Sequence, residues 1–259
     1  MNKEIEKLSK KLKRQRVFII ALVMCIPFAL WLSSQYFNSN NSVEQKTFPM
    51  LDPLRELVSP KSYLINIEEL RTYLHGLESK YPDSISIYYE QINSGANISV
   101  NKDIKLFPAS LSKLVQAILI TKNVERGSLS WDKQLKAEPG DLSADSGVLY
   151  KSIGNNTMSV DKLLEELLIN SDNTAQNIFK HYLTFDDYVI FQNETGLQDL
   201  YNEKGFISAK EYTRILRVLY TSNFLEPQNS EKILKLMTKS NFKEYLSSGI
   251  PSTIPFAHK

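Results

Sequence analysis

The chain has one cysteine, Cys25, so it can form no intrachain disulfide. Histidine is almost as scarce. His75, His181 and His258 stand far apart, with no H-E-x-x-H and no cysteine cluster, which argues against a metal enzyme. Nothing else in the sequence calls for a metal or a cofactor. Internal repeats are also absent. No charge of one sign dominates: 31 Lys and Arg face 29 Asp and Glu, for a net charge of +2. That balance conceals a basic arm over 1–16, where Lys3, Lys7, Lys10, Lys11, Lys13, Arg14 and Arg16 face only Glu4 and Glu6. The arm carries +5, so the remainder carries −3. A mildly acidic remainder does not suit nucleic acid as a partner.

Residues 17–32 contain no charged side chain, and 33–37 continue uncharged. About 20 helical residues at ~1.5 Å each cross the ~30 Å hydrocarbon layer. Trp31, Tyr36 and Phe37 lie at the far end, where aromatic rings favour the interface. The segment 17–37 therefore reads as one transmembrane anchor, which Pro27 kinks without breaking. The basic arm on the near side places the N-terminus in the cytoplasm and the rest of the chain outside. A cleaved signal peptide is the alternative, but the apolar run is long for one and no A-x-A-like site follows. Leu22-Val23-Met24-Cys25 has the outline of a lipoprotein site. Met24 is too bulky for it, and the apolar run continues past Cys25, which is more simply an apolar filler. Residues 38–60 are rich in Asn and Ser, then carry Pro49, Pro53 and Pro60, as in a tether. The remaining 61–259 form the expected domain.

Within that domain, Ile67, Leu70, Leu74 and Leu77 predict an amphipathic helix over 65–77, ended by Pro82-Asp83. The alternating 85–89 and the stretch 97–100, joined by a turn at 93–96, predict a hairpin. Residues 131–156 are polar and dotted with glycine, and read mostly as loop. Further helices are expected over 160–168, from 170 through 183, over 208–219 and over 231–237. This order suits a sheet with helices packed on it.

Chemistry concentrates at Phe107-Pro108-Ala109-Ser110-Leu111-Ser112-Lys113. Pro108 favours a helix start, and Leu111, Leu114, Val115, Ile118 and Leu119 recur at helical spacing up to about Gly127. A helix apolar nearly all round is buried. Lys113 sits three residues after Ser110, on the same face. A serine hydroxyl needs a neighbouring base to become a nucleophile, and a buried lysine gives up its proton more readily than a free one. The S-x-x-K spacing also occurs at Ser99/Lys102, Ser130/Lys133, Ser159/Lys162 and Ser240/Lys243, where a cap or a surface pair is the simpler reading. Only Lys113 is embedded in a long apolar run. Ser171-Asp172-Asn173 occurs once and by itself reads as a capped helix N-terminus.

Taken in order, Ser110-x-x-Lys113, Ser171-Asp172-Asn173 and His258-Lys259 resemble the motif set of the class A β-lactamases and the wider penicillin-recognising serine hydrolases. The stretch 141–149 resembles the segment these enzymes carry before S-D-N, and 171–177 resembles their S-D-N-T-A-x-N. The resemblance covers about 63–259. It implies an α/β (α+β) sandwich, a mixed sheet with helices on both faces, and no metal. It also implies roles: Ser110 as the nucleophile, with its backbone N–H as half of an oxyanion hole, Lys113 as the acylation base, and Ser171 as the proton relay to the leaving nitrogen. Asn173 would hydrogen-bond the substrate amide and Lys259 would attract its carboxylate. The implied ligand is a β-lactam or a peptidoglycan peptide of D-Ala-D-Ala type. The setting is a bacterial cell membrane, and oligomeric state is left open.

Two departures stand out. The family continues His258-Lys259 with Thr-Gly on an inner strand, followed by two more strands, a closing helix and the second oxyanion N–H. The sequence stops at Lys259, so a fragment of a longer product is expected. The interval from Ser171 to Lys259 also lacks the Ω-loop E-x-x-L-N, whose Glu activates the deacylating water. In the corresponding stretch, 196–210, and just before it, Glu203 and Glu194 lack the right neighbours. Acylation is expected without rapid β-lactam turnover, as in penicillin-binding proteins and D-Ala-D-Ala peptidases. The competing reading is a non-catalytic ligand-binding or cell-wall-interaction module on the same scaffold.

Overall fold

A computed structural model describes residues 68–259, apart from 83, 93–94, 155 and 198–204. The basic arm, the expected anchor at 17–37 with Cys25, the tether and Glu203 lie outside the described residues. Among those described, no helix is long and apolar enough to cross a membrane.

The chain opens with helix α1 (Glu68–Lys80) and a hairpin of β1 (Ile87–Glu90) and β2 (Asn97–Val100), in register from Ile87 opposite Val100 to Glu90 opposite Asn97. Leu74, Ile98 and Val100 make a small core beneath them. Strand β3 (Lys105–Leu106) pairs antiparallel with β6 (Ile207–Ser208), and β4 (Gln134–Lys136) with β5 (Thr157–Ser159). A 3-10 turn over Ala109–Leu111 leads into α2 (Ser112–Glu125). The remaining helices are α3 (Val160–Ile169), α4 (Asn173–Lys180), α5 (Phe185–Thr195), α6 (Ala209–Tyr220) and α7 (Pro227–Thr238).

Helix α2 is the axis of the large core. Leu114, Val115, Ala117, Ile118, Leu119 and Ile120 are all buried, so every face of it meets protein. Against it pack Leu163, Leu164, Leu167 and Leu168 of α3, Phe179 of α4, Phe191 of α5 and Met237 of α7. Local chemistry sets where these helices begin. Ser159 caps α3 by accepting from Lys162 N, and Pro227 starts α7. Thr184 with Asp187, and Ser208 with Glu211, form capping boxes on α5 and α6. Lys105 reaches Glu211 at 2.5 Å, which ties β3 to α6 just ahead of Ser110, and an ion pair from Arg217 to Glu90 joins α6 to the hairpin.

Three expectations change. The single mixed sheet is, among the described residues, three separate two-stranded antiparallel ribbons, and the large core is mainly helix on helix. Residues 250–259 form no ladder: Ile254 N bonds Pro251 O at 2.9 Å in a turn, and Pro251 and Pro255 bring no backbone donors. Third, α5 had not been expected; 131–156 is mostly loop as read, with β4 and two 3-10 turns set into it.

Candidate active site

Two segments meet at one point: the turn before α2 and the turn before α4. Lys113 is 1 % exposed, although it carries an amine. Its Nζ lies 3.1 Å from Ser110 Oγ, 3.2 Å from Ser171 Oγ, 2.8 Å from Ser171 O and 2.6 Å from Asn173 Oδ1. Ser171 Oγ donates to Ser110 Oγ at 2.9 Å, so the amine and the two hydroxyls close a triangle. An ammonium has three donors, one fewer than these four oxygens. Either protonation state serves three of the four: an ammonium donates three times, and a neutral amine donates to Asn173 Oδ1 and Ser171 O and accepts from a hydroxyl. Burial pushes the Lys113 amine down to about 8; the Asp172 charge opposes this and Lys180 adds to it.

Both turns are unusual in their backbone. Ala109, immediately before Ser110, has φ +46° and Ser171 has φ +53°, conformations that non-glycine residues seldom adopt. Tyr212 donates its hydroxyl to Leu111 O at 3.3 Å and steadies the first turn. The second is held by Asp172, which is fully buried. Its Oδ1 accepts from Ala175 N at 3.0 Å, capping α4, and its Oδ2 accepts from Leu149 N at 2.9 Å. Gly147 packs against it so closely that a Cβ there would fall 1.9 Å from Asp172 Oδ2. Ser146 Oγ donates to Ser171 O and Ser146 O accepts from Asn173 N, each at 2.9 Å. Farther along the same wrap, Asp141 Oδ1 meets His181 Nε2 at 2.8 Å.

The sequence-predicted residues Ser110, Lys113, Ser171 and Asn173 are thus brought together. Lys259 takes a specific seat as well: its Nζ donates to Leu167 O at 2.6 Å and Leu168 O at 3.0 Å, at the carbonyl end of α3. Burial, and then the charge on Lys113, push it down to about 7. The other S-x-x-K pairs take the simpler forms. Ser99 lies on β2, Ser130 opens a turn by accepting Lys133 N, Ser159 caps α3, and Ser240 Oγ accepts from Phe242 N. Glu194 sits at the end of α5, 3.7 Å from Arg126. His75 meets Glu78, and the His258 ring stacks on Phe256. Sequence reasoning missed Ser146 and Gly147 as part of the site. The likeness of 141–149 to the segment ahead of S-D-N was the signal available.

The family model described as the beta-lactamase enzyme family matches residues 68–259. The chain belongs to that family. Among solved structures, PBP-A is similar at a TM-score of 0.67 and 21% identity, over 74% of this chain and 76% of that one. A PBP-A mutant in an acyl-enzyme complex with penicillin G also reaches 0.67, at 20% identity, over 74% of this chain and 77% of that one. A β-lactamase from Sphaerobacter thermophilus is similar at 0.65 and 16% identity, over 73% and 75% of the two chains. These likenesses place the domain in the α/β fold of β-lactamases and penicillin-binding proteins. The ribbons, the buried α2 and the S-D-N turn are this member's version of it.

Proposed function

We propose that this β-lactamase-family hydrolase forms an acyl-enzyme at Ser110 on β-lactams or on peptidoglycan amides of D-Ala-D-Ala type. It would do so on the outer side of a bacterial membrane, held there by 17–37. The observation that carries the reading is the buried Lys113 amine within hydrogen-bond reach of two hydroxyls. Ser110 Oγ bonds to the carbonyl carbon while its proton passes to the neutral Lys113 Nζ. The C–N bond then breaks, and the proton travels from Lys113 through Ser171 Oγ to the departing nitrogen. General acid–base steps of this kind contribute about 10²–10⁴-fold in rate. Asn173, turned toward the amine, holds it in line and lies where a substrate amide would approach. Lys259, in its protonated form, would favour a substrate carboxylate. The family's Ω-loop motif is missing from the sequence, and Glu194 is engaged by Arg126 at a helix end. We therefore expect a long-lived acyl-enzyme rather than rapid turnover.

Labelling of the full chain in membranes with a fluorescent penicillin tests this. The expected result is one stoichiometric covalent adduct in the membrane fraction, lost in Ser110→Ala and released slowly. No adduct, or an adduct that survives Ser110→Ala, would leave only a ligand-binding module on a shared scaffold.

A further inference from the structure

The turn at 171–173 is gripped from one side by 146–149, and the grip reaches the amine of Lys113. A serine at φ +53° costs about 1–2 kcal/mol, and such a conformation persists only where its surroundings impose it. Here Ser146 binds the turn twice, Leu149 N binds Asp172, and Gly147 leaves Asp172 its space. The Ser171 carbonyl that receives the Ser146 hydroxyl at 2.9 Å is also the one that receives Lys113 Nζ at 2.8 Å. A carbonyl oxygen has two lone pairs, enough to accept from both donors.

We infer that Ser146 is a positioning residue for the acylation step: by sharing the Ser171 carbonyl with Lys113, its hydroxyl keeps that amine in the neutral, proton-accepting form. The inference rests on the chemistry proposed above. A hydrogen bond to the charged form of a group favours that form. A second donor on the same oxygen weakens the bond the ammonium makes and so favours the amine. The charged groups acting on Lys113 are Asp172, in the turn itself, Lys180 at the end of α4, and Lys259 at the end of α3. Asp172 favours the ammonium, and the two lysines oppose it. None of the three is bonded to the Ser146 hydroxyl, so removing that hydroxyl changes one influence and leaves these in place.

The test follows Lys113 directly in the full chain without substrate, by NMR titration of 13Cε-labelled lysine, with the Lys113 signal assigned by its loss in Lys113→Met. In Ser146→Ala the midpoint is expected to rise by about 0.5–1 pH unit, and Ser146→Thr should restore it. Ser146→Cys keeps the volume with a weaker donor and should give an intermediate shift, which serves where the alanine variant does not fold. The rising limb of penicillin labelling should move by the same amount, slowing the reaction at pH 7 about three- to tenfold while the alkaline plateau is kept. An unchanged midpoint overturns the inference, and so does an equal loss of rate at every pH. If wild-type Ser110 takes no label, the proposed function fails, while the NMR midpoint still decides the role of Ser146.

Discussion

Replacing Gly147 by alanine would put a methyl group 1.9 Å from Asp172 Oδ2, 2.3 Å from its Cγ and 2.6 Å from its Cα. The first two contacts could be relieved by moving the carboxylate, but the third is with backbone. Asp172 has nowhere to go, since it is fully buried and each oxygen already holds a backbone N–H. Displacing it forfeits hydrogen bonds to a charged group worth about 1.5–3 kcal/mol each. Forcing the neighbours apart instead costs about 1–3 kcal/mol. Alanine at the Gly147 φ of +83° adds about 1–2 kcal/mol. The cheaper relaxation, spreading the neighbours, sets the expected loss at about 2–5 kcal/mol, or a melting temperature lower by roughly 4–20 °C for a domain of this size. Two other glycines separate strain from collision. Gly95 has φ +70° with nothing near its Cβ position, so Gly95→Ala should lose only the conformational part, about 1 kcal/mol. Gly140 has neither feature, and Gly140→Ala should stay within about 0.5 kcal/mol. Thermal and urea unfolding followed by circular dichroism would rank the three. If Gly147→Ala unfolds alongside Gly95→Ala, the S-D-N turn is not pinned by that contact and the account of the site is wrong.

Two further outcomes are expected. The amine that accepts the Ser110 proton must be neutral, and burial lowers Lys113 to about 8. Penicillin labelling should therefore be slow below pH 8, rise through it and level off above, and Lys113→Ala should slow it at least about 100-fold; a rate flat from pH 6 to 10 would contradict a lysine base. Thr184→Ala removes the cap of α5 and should cost about 1 kcal/mol in urea unfolding, and an unchanged midpoint would show that the capping box adds nothing.

The parts of this site that lie close in sequence were legible there. Ser110 and Lys113 are one turn apart, and the largely apolar run around Lys113 announced its burial. The leucines at 163, 164, 167 and 168 likewise fixed the inner face of α3. What escaped depends on contacts between distant segments. Gly147 and Asp172 are 25 residues apart, and neither residue hints at the other. The Ser171 motif was readable as a helix cap, which Asp172 indeed provides, but not the depth at which the cap is buried. Helix α5 was missed because only Phe191 among its side chains is buried, so its apolar rhythm is faint. Thr184-x-x-Asp187 was the signal that could have found it. The mixed sheet was expected from family resemblance, whereas ladders of two to four residues carry too little pattern to reveal which strands meet.

Lys113 stands almost equidistant from the two hydroxyls, at 3.1 and 3.2 Å. An amine so placed can collect a proton from one oxygen and deliver it to the other without any carbon of the site shifting. The rearrangement needed is a spin of two O–H bonds, which is faster than any motion of the chain. Chemistry built this way has no moving scaffold to wear out of alignment.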